Sequence, residues 1–161
     1  MNAGKLAAGS IVVIAAAAGI AMYWLQEYAF YHEASFRPGA EIMLTPIEGG
    51  QPEPILAEAV TGIDAESSPL RFRACFTTPM SQAMLTETYV AYDKPEPLNA
   101  PSWFDCFDAA AIGAALEKGE ALAFLSQAGI APQIDRVVAV FPDGRAYAWH
   151  QLSPETAETA E

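Results

Sequence analysis

The chain has 161 residues, with 8 Lys+Arg against 20 Asp+Glu and a net charge of −12. That length holds one domain and an appendage. The acidity argues against nucleic acid and anionic lipid headgroups as partners, because like charges repel.

Residues 6–26, LAAGSIVVIAAAAGIAMYWLQ, carry no charge. A helix needs about 20 apolar residues at 1.5 Å each to cross a ~30 Å hydrocarbon core, and this run suffices. Ala is nearly neutral for insertion, so Ile11, Val12, Val13, Ile14, Ile20, Met22 and Leu25 supply the drive. Tyr23, Trp24, Tyr28 and Tyr31 follow as a membrane-interface belt, where a ring is half buried and its polar atom wet. Lys5 is the single base before Glu27, and every acid lies at or beyond Glu27. This asymmetry places the short N-terminus in the cytoplasm and the remainder outside it. A cleaved signal peptide is the rival reading, since positive, apolar and small residues occur in that order too. The aromatic belt argues for retention. Ala15 and Gly19 form one small-xxx-small pair and Ala17 and Ala21 another. They read as a helix-packing face, through which the span meets a membrane protein complex or another copy of itself.

Residues 1–26 are thus the N-terminus and span, 27–40 a juxtamembrane stalk, 41–152 an exported domain, and 153–161 an acidic flexible tail. Within the domain, residues 41–47 and 55–63 read as a hairpin around the turn Glu48-Gly49-Gly50-Gln51-Pro52. Residues 70–77 (LRFRACFT) alternate as a strand, with Leu70, Phe72, Ala74 and Phe76 on one face and Arg71, Arg73, Cys75 and Thr77 on the other. Pro79 opens a short helix to about Leu85. Residues 88–92 are again strand-like, and 93–101 are a Pro-rich loop. Asp105 caps the next helix, whose apolar face is Ala109, Ile112, Gly113 and Leu116 and whose end is Gly119. Residues 120–127 fit helix or strand equally. Residues 136–141 and 145–151 form a hairpin around Pro142-Asp143-Gly144. The sum is an α+β fold: one transmembrane helix, then a small domain with an antiparallel sheet and short helices.

Cys75 and Cys106 are the only two thiols. In an oxidising compartment two thiols within reach pair, so a Cys75–Cys106 disulfide is expected. They do not form the C-x-x-C of a redox enzyme.

The segments YWLQEYAFY, SSPLRFRACFTTPMSQAMLTETYV, PSWFDCFDA and IDRVVAVFPDGRAYAWHQL resemble an alphaproteobacterial family of short, single-pass membrane-anchored proteins of unknown function. The resemblance implies a bacterial inner-membrane setting with the domain in the periplasm, and it carries no catalytic residue over.

Other chemistry finds little footing in the residues. Met80, Met84, Cys75 and His150 suggest a Cu(I) ligand set, but the Met80/Met84 spacing is equally what core packing asks of a helix. His32 falls in the stalk and His150 in a strand. Ser67, Ser68, Ser81 and Ser126 lack a nucleophile-elbow context. Arg71 and Arg73, on one strand face, suit either an anion or ion pairs with Glu87, Asp93 or Asp105, and structural ion pairing is the expectation. Trp103, Phe104, Phe107, Tyr147 and Trp149 read as core or as an interface. No catalytic residue, metal, cofactor or small-molecule ligand is expected. The functional expectation is a non-catalytic accessory or assembly protein of a larger membrane complex; the alternative is a tethered ligand-binding or enzymatic domain.

Overall fold

A computed structural model describes residues 2–154, and the chain divides into two units after Tyr31. The expected acidic tail therefore lies, beyond its first two residues, outside the described part.

The first unit is the helix α1 (Ala3–Glu27), none of whose 25 residues is buried in the protein's own fold. At 1.5 Å per residue it is roughly 37 Å long, enough to span a bilayer core. The one hydroxyl in its middle, Ser10, donates to the Ala7 carbonyl at 2.9 Å. A polar group on an apolar helix is satisfied this way without water. At the far end the amides of Tyr28 and Ala29 both reach the Trp24 carbonyl, and the Tyr23 and Tyr28 rings meet edge to face at 6.3 Å.

The second unit is built on a six-stranded sheet of β1 (Tyr31–Glu33), β4 (Glu58–Ala65), β5 (Arg73–Thr77), β8 (Arg145–Leu152), β7 (Ile134–Val140) and β6 (Leu122–Ala131), in that spatial order. From β4 to β6 every pairing is antiparallel. A two-stranded ribbon, β2 (Met43–Leu44) with β3 (Glu53–Pro54), stands apart from it. Two short helices complete the fold, α2 (Gln82–Thr88) and α3 (Ala109–Glu117). The fold class is α+β, as the alternation and turn residues predict.

Period-2 alternation gives the sheet two apolar faces. Phe72, Ala74 and Phe76 of the β5 region join Val138, Val140, Ala146, Ala148 and Phe124 on one face, covered by Ile42, Leu44, Ile55 and Leu85. Cys75, Val137, Ala139 and Trp149 point the other way, against Phe107 and the α3 residues Ala109 and Ile112. The faces assigned to residues 72–76 from sequence agree with this. The hairpin of β7 and β8 also stands where it is expected, and Gly144 at its turn has φ +87°, open to glycine at no cost. A Cβ there would approach the Thr78 carbonyl to 2.7 Å.

Several local readings are corrected. Residues 32–40 are no stalk: His32 and Glu33 belong to β1, and buried Ala34 donates its amide to Gly62. The expected hairpin of 41–47 with 55–63 splits, because β2 pairs with β3 while β4 leaves to join the main sheet. The helix expected from Pro79 begins at Gln82, capped by Ser81, whose Oγ accepts from the Met84 amide. It runs on to Thr88, so only isolated bridges at Tyr89 and Ala91 remain of the strand expected at 88–92. Asp108, not Asp105, caps α3 and accepts from the Ala111 amide at 3.0 Å. The ambiguous residues 120–127 enter β6, whose pairing with β7 decides the matter.

Candidate functional site

The residues singled out from the sequence do not gather in one place. Cys75 and Cys106 are joined in a disulfide with Cα atoms 6.3 Å apart, Cys75 in the core beneath α3 and Cys106 exposed. Tyr23, Trp24, Tyr28 and Tyr31 lie at the end of α1 and just beyond it. Ala15, Gly19, Ala17 and Ala21 do not form a single face. At 100° per residue the pair Ala15/Gly19 stands roughly 200° from the pair Ala17/Ala21, so the two pairs look in opposite directions. A Cβ at Gly19 would meet nothing within 4 Å.

The Cu(I) ligand set is dispersed. Cys75 is spent in the disulfide, Met80 packs on the opposite sheet face, and Met84 is exposed. Ser126 is buried and donates to the Met43 carbonyl at 2.6 Å, which makes it a structural tie between β6 and β2. Phe107, Tyr147 and Trp149 meet edge to face within the core.

Arg73 is buried on the α3 face and holds main chain rather than acting only as an ion-pair partner. Its guanidinium donates to the carbonyls of Leu98 at 2.7 Å, Asn99 at 3.0 Å, Leu70 at 2.7 Å and Phe72 at 2.6 Å. Gln151, also buried, works beside it: its Oε1 accepts from the Glu96 amide and Trp149 Nε1, and its Nε2 donates to the Lys94 carbonyl. Together they pin the Pro-rich loop to the sheet. Proline lacks an amide, so this loop cannot bond itself down and borrows two side chains for the purpose.

The more distinctive arrangement is one that sequence reading missed. His150 pairs in register with Arg136, and Arg136 with Gln127. On the other side Phe72 stacks on His150 with centroids 4.7 Å apart, and Asp64 lies one step beyond the Ile63↔Arg73 pair. Asp64, Phe72, His150, Arg136 and Gln127 thus form one row across the sheet. His150 Nδ1 lies 2.6 Å from the Pro69 carbonyl, which can only accept, so the proton sits on Nδ1. Nε2 is then the acceptor, taking a bond from Arg136 Nε at 3.0 Å. Burial, and then the charge of Arg136, hold the imidazole neutral and push its pKa down to about 4. The Arg136 guanidinium lies 4.2 Å over the Phe72 ring. Burial lowers its pKa to about 10, with nearby Asp64 opposing.

Four of the row, Asp64, Phe72, Arg136 and Gln127, line a cleft of about 270 Å³ whose other side, its rim, is residues 34–37, Ala40, Glu41 and Met43; His150 lies outside it, behind Arg136. Phe36 leans over Gly62 so closely that a Cβ there would reach its ring at 2.6 Å. Glycine at position 62 is what lets the rim settle on the sheet. The cleft has Arg37 and Arg136 as cations and Glu41 and Asp64 as carboxylates. Among the described residues no group of three or more His, Cys, Asp or Glu side chains is placed to hold a metal ion.

No curated protein and no solved structure matches this chain. Residues 42–160, most of the domain beyond α1, match the family of unknown function DUF6446.

Proposed function

We propose that this chain, which belongs to the DUF6446 family of unknown function, is a bitopic bacterial inner-membrane protein serving as a non-catalytic accessory or assembly subunit. In this reading α1 crosses the membrane with its N-terminus in the cytoplasm, and the domain works in the periplasm. The helix meets either a larger membrane complex or a second copy.

One observation carries the reading: α1 is a 25-residue apolar helix with no buried residue. An apolar helix with nothing of its own to pack against requires lipid or another helix around it. The Cys75–Cys106 disulfide fits an oxidising compartment and so supports export. The opposed small pairs supply two separate surfaces for close backbone approach.

Affinity purification in mild detergent, with mass spectrometry of the co-isolated proteins, tests this. Gly19→Leu and Ala17→Leu block opposite faces of α1, and one of them should lose the partner while the other keeps it. Equal recovery from both variants and the parent would reduce α1 to a tether.

The second reading is a membrane-tethered ligand-binding or enzymatic domain. The mixed-charge cleft beside Arg136 favours it.

A further inference from the structure

We propose that the cleft between residues 35–41 and the Asp64-to-Gln127 row binds a small zwitterion of the amino-acid class, carboxylate toward Arg136 and Arg37, ammonium toward Asp64 and Glu41. The inference rests on the second reading above, that the cleft takes a ligand at all. It is independent of what α1 meets.

Arg136 is the anchor. Its Nε is committed to His150 and its flat face to Phe72. Among the described residues nothing else bonds to its two terminal amino groups, and no carboxylate lies within 4.0 Å of them. Asp64 supplies the nearby opposite charge, yet the terminal amino groups remain open to solvent and unbonded, so they are available to a ligand in the cleft. Those two donors have the fork geometry that takes a carboxylate in a bidentate fashion. The relay from the Pro69 carbonyl through His150 fixes the orientation of the fork before any ligand arrives, which lowers the entropy lost on binding.

The charge of the cleft selects the ligand class. Asp64 Oδ1 accepts from the Ala65 amide and Glu41 Oε1 from the Gly39 amide, so each carboxylate keeps a second oxygen. Two cations and two carboxylates make the cleft neutral, inside a chain whose eight bases and twenty acids leave it at net −12. A simple anion is repelled by that field, and a simple cation leaves Arg136 unmatched. A zwitterion matches both signs and carries no net charge. Phe36 and Phe72 offer apolar walls to its side chain. At about 270 Å³ the cleft lies just below the ~300–1,000 Å³ of drug-sized sites, which limits the occupant to roughly amino-acid size.

Isothermal titration of the full chain in detergent micelles tests the assignment, with L-leucine and L-phenylalanine as probes. Their methyl esters remove the carboxylate charge and their N-acetyl forms remove the ammonium. Saturable binding of the amino acids is expected, weakened about tenfold or more by either modification. Arg136→Met should weaken it similarly; should that variant misfold, Arg37→Gln on the exposed rim, with an unchanged circular dichroism spectrum, should still show about threefold weaker binding. Equal binding of an N-acetyl or ester form overturns the zwitterion and leaves a ligand site standing. No saturable heat from any probe up to about 10 mM overturns both.

Discussion

Arg136 and His150 face each other in register on adjacent strands, and the Arg136 Nε donates to His150 Nε2 at 3.0 Å. A histidine used as an acceptor by a guanidinium has to remain neutral, because a proton on Nε2 would set two donors against each other. The pair therefore ties the acid sensitivity of the domain to the geometry of the cleft.

Stability should fall as pH drops from about 6.5 to about 4, the window between the ordinary histidine pKa and that of folded His150. In that window the unfolded chain binds a proton that the folded chain refuses, so unfolding is favoured; above it the full stability is present. The drop corresponds to about 3 kcal/mol at the acid end. Urea unfolding at pH 7 and pH 4.5 measures it, and His150→Gln should flatten the dependence. An equally steep dependence in the variant would assign the acid sensitivity to the carboxylates.

Arg73→Met should destabilise the domain by about 2–4 kcal/mol, since four carbonyls, that of buried Phe72 among them, lose their donor. Arg73→Lys should recover little, because a single ammonium cannot cover four carbonyls spread over two segments. Limited proteolysis should cut both variants first within residues 93–101, where the loop is released. Cleavage unchanged from the parent would mean that Gln151 alone holds the loop.

Replacing Cys75 and Cys106 together by Ala should lower stability by about 3–4 kcal/mol, the chain-entropy value for a loop of some 30 residues. Alkylation of the purified parent without reductant, followed by intact mass, should show no modified cysteine. One or two added alkyl groups would mean that the thiols are free in the cell envelope.

A C-terminal alkaline phosphatase fusion should be active and remain with the membrane fraction. The enzyme folds only where its own disulfides form, so activity reports export of the domain. Activity found wholly in the soluble periplasmic fraction would show that the N-terminal segment is removed.

Local chemistry is what the sequence by itself determined. The apolar run of α1, the hairpin at Pro142-Asp143-Gly144 and the alternating faces of residues 72–76 are all set by neighbours a few positions apart. Composition and period carry such information directly. The two thiols were legible as a pair because no other partner existed for either. Tertiary structure decided the rest. Asp108 displaced Asp105 as the cap of α3, and β4 pairs with β5 rather than with residues 41–47, because sheet pairing and helix docking outweigh local preference. The row of Asp64, Phe72, His150, Arg136 and Gln127 draws on β4, β8, β7 and β6 and on the residue just before β5. Its members become neighbours only through strand register, a long-range relation that no window of sequence contains.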